Sequence, residues 1–188
     1  MASFDVIILG GGPAGYVCAI RSAQLGLNVA VIEREALGGT CVLWGCIPAK
    51  SLLESASLAN RLKHAAEHGI TTGEITLDFG PAMKRSRGVS AQNSKGVEFL
   101  LKKNKVTYIR GNGRVTAANT VEVKSADGKV EAHTCSKALV IATGSRVRGL
   151  PQVGLELNKT TVLSSGASIE STVERSPAPG EPFFESRR

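Results

Sequence analysis

Apolar and polar positions follow two periods along this chain, and the stretch from Phe4 to Glu33 shows both. Phe4 to Leu9 (FDVIIL) is a short, nearly unbroken apolar run, the pattern of a strand covered on both faces in a parallel sheet. Gly10, Gly11 and Gly12 end it. Pro13 stands where a helix can begin, because first-turn positions need no intrahelical donor. From Tyr16 to Leu25 the pattern turns helical, with Val17, Ala19, Ile20 and Ala23 expected to face inward and Gly26 to stop the helix. Asn28 to Ile32 (NVAVI) predicts a second buried strand, with Glu33 at its C-terminal end. The unit is β-α-β.

Beyond it, Leu37 to Thr40 reads as a glycine-rich loop leading to a helix from about Gly45 to His68. Ile70 to Leu77 is expected to be extended or irregular. Phe79 to Asn104 predicts one long helix with Gly88 and Gly96 as weak points, followed by a strand over Val106 to Ile109. Thr120 to Lys124 and Val130 to His133 flank Ala126-Asp127-Gly128, a hairpin signal. Ala138 to Ala142 (ALVIA) predicts a further buried strand, ended by Thr143-Gly144. After about Ser165 neither period survives and three prolines fall within residues 177–182, so 1–165 is read as the folded domain and 166–188 as a disordered tail.

Composition narrows the class. At 188 residues with 42% apolar positions, the chain suits one domain with a proper core. The longest apolar stretch is interrupted by Arg21 and Gln24, short of the roughly 18 residues a spanning helix needs. MASFDVIIL has no basic flank or small-residue cleavage site, so no secretory or organellar signal is expected, and the cytoplasm is favoured over the mitochondrial matrix. The formal charge of +7 comes partly from Lys84, Arg85, Arg87, Lys95, Lys102, Lys103 and Lys105. Aromatics are scarce there, so a solvated helix face is expected rather than a nucleic-acid platform.

Two motifs carry chemistry. Gly10-Gly11-Gly12-Pro13-Ala14-Gly15 matches G-x-G-x-x-G between a strand and a helix, where glycines allow a tight turn, backbone approach to a pyrophosphate and close helix–strand packing. The helix start offers free N–H groups and a positive dipole end to phosphates. Glu33, at the end of the strand that follows the helix, can accept hydrogen bonds from ribose hydroxyls. Arg34 is read either as a solvated charge or as part of the cofactor rim. This motif does not separate FAD from NAD.

The second is Gly38-Gly39-Thr40-Cys41-Val42-Leu43-Trp44-Gly45-Cys46-Ile47-Pro48-Ala49-Lys50. C-x-x-x-x-C resembles a metal half-site, but no second Cys/His cluster offers the remaining ligands, and no metal is expected. As a disulfide, positions five apart on one ideal helix lie about 7.5 Å apart along the axis, too far to bridge comfortably. A Cys41–Cys46 bridge therefore needs a distorted first turn, which Gly45 permits, and a strained bridge is readily reduced. Lys50, one turn on, can place a cation near a thiolate or flavin. Cys18 and Cys135 are read as packing residues.

GGTCVLWGCIPAKSLL resembles the redox-disulfide segment of the pyridine nucleotide-disulfide oxidoreductases, in the form closest to the dihydrolipoamide dehydrogenases rather than glutathione or mercuric reductases. FDVIILGGGPAGYVCAIRSAQLGLNVAVIE, the RGNGRV strand and ALVIATGSRVRGLPQV agree, so the resemblance covers roughly residues 3–165. It implies an α/β fold: a Rossmann-like FAD-binding parallel sheet with an inserted β-hairpin or meander, incomplete relative to the family. It further implies that Gly10, Gly12, Pro13, Ala14, Gly15, Glu33 and Arg34 hold FAD around its pyrophosphate and ribose. Gly39, Thr40 and Lys50 would line the flavin, Gly113 would contact the adenosine half, and Thr143 with Gly144 would approach by backbone. Cys46 would be the thiol nearest the flavin, and Cys41 the one exchanging with substrate. Leu43 and Trp44 stand where many relatives carry Asn and Val.

The implied reaction takes dihydrolipoamide to lipoamide, passing electrons through Cys41 and Cys46 to FAD and on to NAD⁺. The implied partners are a lipoyl-bearing acyltransferase of 2-oxo acid dehydrogenase complexes and a second subunit, with no nucleic acid and no membrane. The family's NAD-binding domain, its own glycine loop and the interface domain carrying a His–Glu dyad have no counterpart here, and the resemblance fades near Ser164. His64 and His68 lie about 27–33 Å past Cys46 along a helix, and His133 falls in the hairpin, so none replaces the dyad's base. Low or no turnover of this chain alone is the expectation. A non-catalytic dinucleotide- or partner-binding fragment, and a Rossmann-type NAD protein with structural cysteines, are the alternatives.

Overall fold

In the computed structural model, residues 2–157 are described. They divide into two compact units, residues 2–43 with 91–146, and residues 44–90 with 147–157.

The first unit is built on a six-stranded sheet. Its strands are β1 (Ala2–Leu9), β2 (Val29–Glu33), β3 (Thr107–Arg110), β4 (Asn112–Ala117), β5 (Thr120–Lys124) and β6 (Val130–Ile141), in spatial order β3-β2-β1-β6-β5-β4. Pairing is parallel from β3 to β6 and antiparallel from β6 through β5 to β4. The expected Rossmann-like sheet with a meander is therefore present. The hairpin strand and the ALVIA strand are one continuous β6. Its first residues pair with β5 over Val130–Thr134, and it pairs with β1 from His133 to Ile141. No breaker lies between Thr134 and Ala138, so the two runs fuse.

Four successive residues of β2, Val29 to Ile32, are fully buried, as a strand covered on both faces requires. Val29 and Val31 join Val6 and Ile8 on one face, under Ala19, Val97 and Leu101. Ala30 and Ile32 join Phe4, Ile7, Val121 and Val123 on the other. Phe4 and Ile7 share a face although three apart because β1 is bulged: Asp5 and Val6 both donate to the carbonyl of Asn28, at 2.8 and 3.2 Å. Burying each such side chain stabilises the fold by about 1.5–3 kcal/mol.

Helix α1 (Pro13–Gln24) starts at Pro13 as expected. Gly15 and Ala19 are its buried residues, while Val17 is 55% exposed. Positions two apart on a helix point to nearly opposite sides, so Val17 turns away from the sheet when Ala19 faces it. The small residues pack and the branched one does not. The loop before the cysteines closes into a short helix, α2 (Gly39–Leu43), which the glycine-rich pattern concealed.

In the second unit, α3 (Cys46–Lys63) is followed by a 3₁₀ turn (Ala65–His68), so the predicted single helix ends about one turn early. Helix α4 (Phe79–Lys103) runs through Gly88 and Gly96 and contributes to both units. The expected tail lies outside the described residues.

The bulge exposes a titratable contact. Asp5 accepts from the Asn28 amide at 2.9 Å and pairs with Lys137 at 3.2 Å, which together hold its carboxyl below the ordinary range. A folded-state value below the unfolded one contributes stability above about pH 4, lost as pH falls through the folded value. Asp5→Asn is expected to lower the urea midpoint at neutral pH, with the difference shrinking as pH falls through the folded value of the Asp5 carboxyl.

Candidate functional site

The site sits at the C-terminal ends of β1, β2 and β6, where a parallel sheet leaves its crevice. Gly10 closes β1 with φ +112°, a region only glycine enters freely. Its N–H donates to the Ile32 carbonyl at 2.8 Å, and a Cβ there would overlap the carbonyl of Ala142, whose carbon lies at 2.7 Å. The chain then turns into α1 with Gly12 as cap and no capping side chain, leaving the first-turn N–H groups uncovered by side chains.

Glu33 ends β2 and braces the turn. Its carboxylate accepts from the N–H of the buried Gly11 at 2.8 Å and from that of Glu35 at 2.9 Å. The next loop is tied in by Gly38, donating to the Gly11 carbonyl at 2.8 Å, and by Ser94 Oγ, donating to the Leu37 carbonyl at 2.7 Å. Gly39 comes so close that a Cβ on it would stand 2.7 Å from Gly12 Cα. Removing the brace with Glu33→Ala leaves the Gly11 donor unpaired. It is expected to cost about 1–3 kcal/mol in urea unfolding, with Glu33→Gln losing less because one acceptor oxygen remains.

A cleft of about 280 Å³ opens beside this turn, lined by Gly10, Glu33, Arg34, Gly113, Thr143 and Gly144 among others. All of these were expected at the cofactor on sequence grounds, and they share one cavity. Arg34 lines this cleft and pairs with Glu35 at 3.2 Å. Asn112, Ser145 and Arg146 line the same cleft; they lie inside RGNGRV and ALVIATGSRVRGLPQV, but the motif reading assigns them no role. The signal that could find them is positional: residues directly after or beside a strand's C-terminal end face the crevice. Gly12, Pro13, Ala14 and Gly15 instead form the start of α1, where Gly15 is buried and Pro13 and Ala14 are exposed.

The cysteines stand on separate helices. Cys41 is half-buried in α2 and Cys46 is exposed as the first residue of α3, with Gly45 between the two helices. The geometric objection raised by a single continuous helix therefore falls away. Thr40 and Lys50 are exposed, on α2 and α3 respectively. Cys18 packs on the core, and Cys135 is buried with its Sγ 3.5 Å from the Asn119 carbonyl.

His64 pairs with Glu67 at 3.0 Å on the surface. His133 is buried against Phe4, ring centroids 6.2 Å apart, and serves packing. Among the described residues no cluster of three His, Cys, Asp or Glu suits a metal ion, and no helix is long and apolar enough to cross a membrane. The basic run is only partly a solvated face, because Arg85 and Arg87 turn back onto their own unit.

Comparison with known proteins identifies the family and the fold. A dihydrolipoyl dehydrogenase of Chlorobaculum parvum is 42% identical over 168 residues, covering 89% of this chain and 35% of that protein. One from Mycobacterium bovis is 48% identical over 162 residues, covering 86% and 34%. The crystal structure of LpdA from Mycobacterium tuberculosis superposes with a TM-score of 0.78 at 25% identity, over 90% of this chain and 37% of that one. The chain thus spans about a third of the length of the curated relatives it matches. The family described as "Pyridine nucleotide-disulphide oxidoreductase" matches residues 4–176. With that match over most of its length, and with a glycine turn, an acidic strand end and a cysteine pair where the motifs require them, the chain belongs to the pyridine nucleotide-disulphide oxidoreductase family.

Proposed function

We propose that this chain supplies the adenosine cradle and the redox dithiol of a flavin-dependent disulfide oxidoreductase acting on dihydrolipoamide. The observation that carries the reading is the cleft at the C-terminal ends of β1, β2 and β6. Its volume suits the adenosine half of FAD, and Glu33 stands on its wall with a carboxylate already oriented by two backbone N–H groups. Gly113 leaves room by lacking a side chain, since a Cβ would run into Leu9 and come within 3.1 Å of Ile32. The uncapped start of α1 at Gly12 and Pro13, continued by Ala14 and Gly15, suits a pyrophosphate. Thr143 and Gly144 close the rim, and Gly39, Thr40 and Lys50 belong to the flavin side.

In the chemistry we assign, Cys41 and Cys46 cycle between disulfide and dithiol. One substrate thiolate attacks the Cys41 sulfur, forming a mixed disulfide and releasing the Cys46 thiolate. The second substrate thiolate then attacks the substrate sulfur of that mixed disulfide, so lipoamide leaves and Cys41 is freed. Two electrons have passed to the protein and two protons to solvent or base. Held at these residues, FAD would supply a two-electron acceptor for the dithiol and a hydride donor for NAD⁺. A lipoyl-bearing acyltransferase of 2-oxo acid dehydrogenase complexes, a second subunit and a reducing cytoplasmic setting complete the reading.

The test is titration of the purified chain with FAD, followed by flavin absorbance and fluorescence, and with ADP, followed by calorimetry. Saturable binding of both is expected, with ADP weakened roughly tenfold to a hundredfold by Glu33→Ala, the loss of one or two charge-assisted hydrogen bonds. Folded chain that binds neither would sink the proposal and leave a non-catalytic role.

A further inference from the structure

Three successive residues of α4 reach the segment that carries Cys46, all within the unit containing residues 44–90. Arg85 Nη1 donates to the carbonyl and the Oγ of Ser51, both at 3.0 Å. Ser86, fully buried, donates to the Pro48 carbonyl at 3.1 Å. The Arg87 guanidinium carbon lies 5.3 Å from the centroid of the Trp44 ring. The first two contacts grip residues inside α3, which the helix ladder also holds. The third grips Trp44, on the far side of Gly45. That glycine adopts φ −135°, ψ −104°, so the chain changes course between Trp44 and Cys46 at a residue with no side chain to anchor it.

We propose that Arg87 is a positioning residue for the redox pair: by covering the face of Trp44 it fixes the Gly45 turn, and with it the place of the Cys46 sulfur. This rests on the reading that Cys41 and Cys46 form a disulfide. The equilibrium constant for closing such a bridge is an effective concentration of one thiol around the other, and it rises when either is held where the bond can form. Releasing Trp44 spreads Cys46 over more positions, and the pair becomes harder to oxidise.

The experiment equilibrates the full chain without oxygen in glutathione buffers of graded ratio, in which two protein thiols and one oxidised glutathione give the Cys41–Cys46 bridge and two reduced glutathiones. Thiol trapping and peptide mass spectrometry measure the bridged fraction. Arg87→Ala is expected to lower the closing constant roughly threefold to tenfold, the range of a half-exposed cation–π contact; tenfold corresponds to about 30 mV for a two-electron couple. Arg87→Lys keeps a cation and Trp44→Phe keeps a ring, so both are expected to stay within about twofold of the parent. Trp44 is the sole tryptophan, so its emission is expected to change in Arg87→Ala and to be largely restored in Arg87→Lys.

Unfolding midpoints are recorded alongside. A lowered midpoint with an unchanged closing constant in Arg87→Ala makes the contact merely structural and overturns the proposal. A parent chain that forms no Cys41–Cys46 bridge at any ratio overturns the dithiol reading and this inference together. A parent that bridges normally, with Arg87→Ala indistinguishable from it, overturns the inference alone.

Discussion

Gly15→Ala is expected to be the most damaging single methyl group that can be added to this chain. Its Cβ would overlap the carbonyl oxygen of Gly10 and stand 2.9 Å from the carbonyl carbon. Gly10 has nowhere to go, being held by its bond to Ile32 and backed against the carbonyl of Ala142, whose own N–H donates to Leu9 at 2.8 Å. The displacement must be taken by α1, which lifts Ala19 away from Ile8, Val29 and Val31. Overpacking against side chains costs about 1–3 kcal/mol, and against fixed backbone the upper end or more is expected. Urea unfolding measures the loss, and the FAD titration should fall to nothing because the same turn shapes the cleft. Gly88→Ala is the control of opposite sign. Nothing lies within 4 Å of its added methyl on α4, so it should stabilise by about 0.5–1 kcal/mol. Equal midpoints for Gly15→Ala and the parent would refute the close approach.

Cys46→Ser is expected to stop the redox cycle on a trapped adduct. On the dithiol reading, the Cys41 thiolate of a reduced chain attacks oxidised glutathione, giving a mixed disulfide and one reduced glutathione, a leaving group that carries no second thiol to reverse the step within the adduct. In the parent, the Cys46 thiol then displaces the second glutathione. A serine hydroxyl cannot, so the adduct persists and release falls by at least about a hundredfold, since intramolecular attack is worth molar to far higher effective concentrations. Intact-mass measurement detects the adduct directly. Cys41→Ser should form little adduct under the same conditions if Cys41 is the exchanging thiol, and equal trapping by both variants would reverse the assignment.

Much of the first unit was legible because its local patterns agree with its tertiary roles. FDVIIL and NVAVI are apolar on both faces, and both faces are covered. Glu33 follows from strand length and the glycine turn from its spacing. The features that sequence hides share a cause, which is that the deciding partner lies far along the chain. Val17 looks inward on a helical wheel until the sheet selects the smaller Ala19. The bulge at Asp5 depends on the carbonyl of Asn28, a residue from the start of the next strand. Asn112 and Arg146 join the cleft only because β4 and β6 bring them beside Gly10. Arg85 and Arg87 read as solvated charges because nothing in their own helix reveals Ser51 or Trp44. For the cysteines, α2 is too short to show a period, so the pattern shows only the helix from about Gly45 and leaves Cys41 ahead of it.

The long strand β6 also fixes when this protein can become itself during synthesis. β1 lies inside the sheet, yet its partner across the register Ala2↔His133 to Leu9↔Ile141 is the last of the described strands to be made. A nascent chain that has emerged only as far as α4 has its glycine turn and Glu33 but no Ala142 beside Gly10 and no rim at Thr143. Such late, non-local pairing makes closure of the sheet slow, and until then one edge of β1 offers unpaired N–H and C=O groups to any neighbouring strand. Adenosine binding and escape from aggregation should therefore arrive together, at the moment residues 133–141 leave the ribosome.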